Sequence, residues 1–155
     1  MPKLRKMLGD ARHPTVLSLM RLMETQSHET LVRWATACVR ERYLPLAEDA
    51  RLFAALAAAE GWLKGELSLK AAQAPLREAR QAAGTEADPV RQAAARAIAT
   101  ACAAIRTPTS ALGFVFYGAP PRHTVRRGWM PQRKYTTRWP MQSLKRCFSR
   151  CRKRR

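Results

Sequence analysis

Five carboxylates fall within 26 residues of this chain: Glu41, Glu48, Asp49, Glu60 and Glu66. Acids at that density can meet a basic partner surface, hold a divalent metal through their oxygens, or line a solvated face. Arg40, Arg42, Arg51 and Lys64 lie in or next to the same window and can pair with them on such a face. If the helix ending near Leu44 packs antiparallel to the next one, some of these acids share a surface. Trp62 stands beside Gly61 near the end of that second helix, a position where tryptophan serves as an interface anchor. Trp34 lies inside an apolar stripe and reads as core. Glu41, Glu48, Asp49, Glu60, Trp62 and Glu66 together form the candidate partner interface.

No catalytic signature accompanies them. The chain has no nucleotide-binding glycine loop, no H-E-x-x-H and no Cys/His pair at a ligand spacing. His13 precedes a proline and His28 opens a helix, so both read as surface residues rather than bases. Cys38 and Cys102 fall in helical apolar patterns and read as buried thiols. Cys147 and Cys151 sit among arginines at a C-x3-C spacing with no second ligand pair nearby. A metal-dependent hydrolase would have to rest on Glu48 and Glu60. No catalytic residue, cofactor or metal ligand is assigned, and the chain reads as non-enzymatic.

The charge points elsewhere. The formal net charge is +18, but residues 119–155 hold 13 Lys/Arg and no acid, whereas residues 1–118 hold 16 Lys/Arg against 11 Asp/Glu. In the C-terminal stretch Arg126, Arg127, Arg133, Lys134, Arg138, Lys145 and Arg146 alternate with Trp129, Tyr135, Trp139 and Phe148. Arginines bind phosphate and aromatics stack on bases, a combination suited to single strands. This makes a nucleic-acid-associated protein acting through its tail the alternative function. No recognition module is visible there, so such binding would be non-specific.

The elements that must position these residues are helices. Val16, Leu19, Met20 and Met23 form one stripe. Ser27 caps a second helix whose inner face is Leu31, Trp34, Ala35, Cys38 and Val39, interrupted by Pro45. A third runs from about Glu48 to Lys64 with Leu52, Phe53, Leu56, Ala59 and Leu63 inward, stopped by Gly65. Ser68 caps a stripe of Leu69, Ala72, Leu76, Ala79 and Ala83, in which Pro75 is either a kink or the true start. Asp88-Pro89 opens a helix with Val90, Ala94, Ala97, Ile98, Ala101 and Ile105 on one face. Thr107-Pro108 repeats that signal for a last helix, Ser110 to Tyr117, apolar nearly all round and so expected to be central.

The expected fold is all-α: a single Ala-rich helical bundle of about five or six helices over residues 1–118. An irregular basic Pro/Arg tail follows over 119–155. No apolar run approaches the roughly 18 residues of a spanning helix and no signal segment stands out, so the expected compartment is the cytoplasm, with no membrane partner.

Three stretches carry a family resemblance: LVRWATACVRERYLPLAED, AAAEGWLKGELSL and AAARAIATACAAIRTPTSALGFVFYGA. Their ordered motifs are Trp34 with Cys38, Leu44-Pro45-Leu46, Trp62 followed by Gly65-Glu66, and Ala111-Leu112-Gly113. Over roughly residues 28–118 the chain resembles the immunity proteins of bacterial polymorphic-toxin systems, in particular the group named for the fifth immunity family. The resemblance implies a small Ala-rich helical protein that neutralises a cognate toxin by occluding it. Such a family would continue past Gly118 with further amphipathic helices. The Pro/Arg-rich stretch found here instead is what a reading-frame shift in a GC-rich gene would produce.

Overall fold

The computed structural model describes residues 14–117. Five α-helices follow one another: α1 Pro14–Glu24, α2 His28–Arg42, α3 Ala50–Leu63, α4 Leu69–Thr85 and α5 Pro89–Cys102. Short 3-10 turns cover Leu44–Leu46 and Ala103–Ile105, and a longer 3-10 segment, Pro108–Tyr117, closes the described chain. Among the described residues there is no strand.

The helix starts follow from their caps. The Ser27 hydroxyl accepts from the Thr30 amide and the Ser68 hydroxyl from the Ala71 amide. The Asp88 carboxylate accepts from the Val90 and Arg91 amides, with Pro89 at the first helical position. Each side chain satisfies amides that the helix itself leaves orphaned. The helix α2 ends at Arg42, three residues before Pro45, and Gly65 turns the chain after α3 with φ +75°, a conformation that strains any residue with a Cβ. Pro75 lies inside α4 without ending it. The stripe of Ala72, Leu76, Ala79 and Ala83 is buried along both sides of the proline, and that packing outweighs one missing hydrogen bond.

The helix α5 is the axis of the bundle, touching α2, α3, α4 and the terminal 3-10 segment. Its buried residues are nearly all alanines, with Ile98 and Cys102. Small side chains let neighbouring backbones come close but contribute little apolar area each. The larger contributions come from Trp34, Tyr43, Phe114, Leu52, Leu56, Ile98 and Ile105, all nearly inaccessible. The rings of Trp34 and Phe114 lie 5.3 Å apart and tilted by 54°, joining α2 to the 3-10 segment across the core. Trp34 is therefore core, as its place in the stripe requires.

Several edge residues point outward against expectation. Met20, Phe53, Leu69 and Val90 are all exposed. Leu69 and Val90 are first-turn residues beyond the edge of the core. Met20 and Phe53 sit on the rims of their stripes, which narrow to Val16, Leu19 and Met23 in α1 and to Leu52, Ala55, Leu56 and Ala59 in α3.

The last segment is 3-10, not α. With three residues per turn, Ala111 and Phe114 fall in one row and Leu112 and Val115 in the next, and all four are buried. Gly113 lies between these rows, where a Cβ would come 2.5 Å from the Thr100 methyl of α5. The segment lies against α5 because position 113 has no side chain.

Candidate partner interface

The acids of the window do not form one cluster. Glu48 and Asp49 stand at the N-terminal end of α3, whereas Glu60 and Glu66 belong to its C-terminal end, about 18 Å further along for twelve residues of helix. Asp49 is the N-cap of α3 and accepts the Arg51 amide at 2.9 Å. The Arg51 guanidinium also forks onto it, with Nε 3.0 Å from Oδ1 and Nη2 2.7 Å from Oδ2. Those side-chain hydrogen bonds, then the amide, hold the Asp49 carboxyl below the usual carboxylate range.

Glu48 reaches across the bundle to Arg91 on α5 at 2.6 Å, a partner the sequence window did not contain. Glu60 pairs with Arg40 of α2 at 2.5 Å. Both pairs are solvent-exposed, so each contributes no more than about 1 kcal/mol. Glu41 and Glu66 are exposed, Glu41 one residue from Arg40 and Glu66 in the turn after α3.

Trp62 is half-buried against the core, its ring 5.0 Å from that of His28. His28 is itself half-buried and fixed, with Nε2 2.7 Å from the Ala104 carbonyl oxygen. It is thus a tether between the start of α2 and the 3-10 turn that follows α5 rather than a surface residue. His28 and Arg40 are about 18 Å apart on α2, yet they meet Trp62 and Glu60, two residues apart on α3. The C-terminal end of α3 therefore straddles α2, with Trp62 toward one end and Glu60 toward the other. The two helices do not run side by side as an antiparallel pair.

What the acids flank is the outer face of α3. At 100° per residue Ala50, Phe53, Ala54 and Ala57 share one side, and all four are exposed. Phe53 keeps 45% of its surface in solvent. This apolar strip runs from the Glu48/Asp49 end toward the Arg40–Glu60 pair, giving an aromatic centre with charged ends. Sequence reasoning missed Phe53 because a rim position of an Ala-rich stripe carries no sign of which way it faces.

Among the described residues no group of three or more His, Cys, Asp or Glu could hold a metal ion, and no helix is long and apolar enough to cross a membrane. Cys38 and Cys102 are buried thiols. Burial, and secondarily the Glu60 carboxylate, push the Cys102 thiol up to about 12. The expected polyanion contacts Arg126, Arg127, Arg133, Lys134, Arg138, Lys145 and Arg146 lie outside the described residues, as do Cys147 and Cys151.

A family model described as "Imm-5 like putative immunity protein" matches residues 21–147. The match begins before residue 28 and runs past Gly118, taking in most of the basic stretch. No curated protein and no solved structure matches the chain.

Proposed function

The chain belongs to the Imm-5-like immunity protein family, and from that premise we propose that it neutralises a cognate toxin by binding and occluding it, without catalysis of its own. The face we assign to that contact is the outer side of α3. Its central support is Phe53, a large aromatic left 45% exposed in the middle of an alanine strip. Interfaces of this kind have an apolar centre and a polar rim, and aromatic anchors carry a disproportionate share of their affinity. Glu48 and Asp49 at one end and Glu60 toward the other, each paired with an arginine, supply a polar, charge-balanced rim that fixes register, with Glu41 and Glu66 near the Glu60 end. Trp62 supports α3 from its flank through His28. The place of action is the cytoplasm of the cell that makes the toxin.

The test is direct binding to the toxin encoded beside this gene, measured by calorimetry with the full chain. A saturable complex that abolishes the toxin's activity is expected. A toxin that stays active in the presence of excess chain would refute the reading.

A further inference from the structure

A second feature lies away from α3. The flank of α4, the outer flank of α5 and the terminal 3-10 segment enclose an open cleft of about 270 Å³. Arg80 of α4 and Arg96 of α5 line it, with Ser110 and Tyr117 from the 3-10 segment, Thr100, and Gly84 at its wall. Its charge is one-sided. No Asp or Glu lines the cleft, and among the described residues neither Arg80 nor Arg96 forms an ion pair. Two arginines thus border one cleft with no carboxylate in its lining, an arrangement that favours an anion there.

The sequence that follows the cleft offers no acidic side chain. The described chain ends at Tyr117 on the cleft, and residues 119–155 carry 13 Lys/Arg and no Asp or Glu. The surplus positive charge would attract an anion from another molecule.

The donors narrow its chemistry. Thr100 donates its hydroxyl proton to the Arg96 carbonyl oxygen at 2.7 Å, so it is committed. The two guanidiniums and the Ser110 and Tyr117 hydroxyls are left to donate. Together they bring a charge of +2 and many N–H and O–H groups. A carboxylate carries one charge and two oxygens, whereas a phosphoryl group carries nearly two charges and three acceptor oxygens. Gly84 fits the same picture. A glycine costs a helix about 1 kcal/mol relative to alanine, yet here it sits within α4, where a Cβ would meet nothing within 4 Å. A side chain added there would project into open space at the cleft wall.

We propose that the Arg80–Arg96 cleft is an oxyanion site that takes the phosphoryl group of a small phosphorylated ligand. The site is independent of the α3 face. The experiment is an NMR titration of the full chain with inorganic phosphate at constant ionic strength, following the Gly84 and Ser110 amides, with acetate and glutarate as carboxylate probes. Saturable shifts at both amides are expected, with phosphate bound at least tenfold more tightly than either carboxylate. Replacing both arginines (Arg80→Gln with Arg96→Gln) should weaken phosphate binding at least tenfold. Gly84→Leu, which fills the cleft and leaves both charges in place, should do the same. Absence of saturable shifts overturns the site. So do shifts unchanged in both variants, which would mean that phosphate binds elsewhere on the basic chain. Carboxylates binding as tightly as phosphate would overturn its assignment as a phosphoryl site.

Discussion

Substituting Gly113 by alanine tests whether the 3-10 segment docks on α5 through a missing side chain. The new Cβ would be built 2.5 Å from the Thr100 Cγ2, well inside ordinary contact. Thr100 cannot yield cheaply. It is β-branched, and turning its methyl away breaks the 2.7 Å bond from its hydroxyl to the Arg96 carbonyl. The segment would have to lift instead, loosening Phe114 from Trp34. Overpacking of this kind costs about 1–3 kcal/mol, offset by about 0.4–1 kcal/mol from the lower entropy of the unfolded chain. Because Thr100 cannot yield cheaply, the cost falls in the upper part of that range, and Gly113→Ala should destabilise by about 1–2.6 kcal/mol in urea unfolding followed by circular dichroism. Thr100→Ser removes the methyl and keeps the hydroxyl, so the double variant should recover at least half of that loss. A neutral Gly113→Ala, or a penalty that Thr100→Ser leaves untouched, would refute the reasoning.

Two other expectations concern the core. Gly61→Ala brings a Cβ to 2.6 Å from Leu67 Cδ1, the far end of a flexible, half-buried side chain, so its change in urea midpoint should be less than half that of Gly113→Ala. The Cys102 thiol has an ordinary value of 9.0 and is raised to about 12 in the fold, so above pH 9 the unfolded state holds fewer protons. The stability this group contributes is complete below pH 9 and is lost as pH rises toward 12. Urea midpoints should fall across that window, less steeply in Cys102→Ala; identical slopes in the two proteins would contradict the assignment.

The parts legible in the sequence were those fixed by local chemistry. Ser27, Ser68 and Asp88-Pro89 cap helices because their oxygens reach orphan amides two or three residues on, which needs no tertiary partner. The inner face of α2 was legible for a related reason: Leu31, Trp34, Ala35, Cys38 and Val39 are large or centrally placed enough to define a stripe. In α3 and α5 alanine fills six of the fourteen positions in each helix, on inner and outer faces alike, so periodicity loses contrast. The outward turn of Phe53 and the burial of Ala95 and Ala99 depend on which neighbour comes near. The 3-10 form of Pro108–Tyr117 was hidden likewise, because a segment apolar on every side fits either period until Gly113 meets Thr100. As to the acids, their nearness in sequence suggested a common surface, but the length of α3 separates them into two groups. The Glu48–Arg91 pair spans 43 residues and no local pattern announces it. The Arg80–Arg96 cleft is a tertiary feature of the same sort.

The central claim is that this chain silences its toxin through the outer face of α3, and Phe53 tests it most directly. Phe53→Asp adds a charge at the centre of the strip but disturbs little packing, since the ring is 45% exposed. Cells producing the cognate toxin should be protected by the wild-type chain and killed with the Phe53→Asp variant. The variant's thermal unfolding should stay close to wild type, and its toxin affinity should fall by about 2 kcal/mol or more, roughly 30-fold. Full protection by a folded Phe53→Asp protein, with unchanged affinity, would contradict the account.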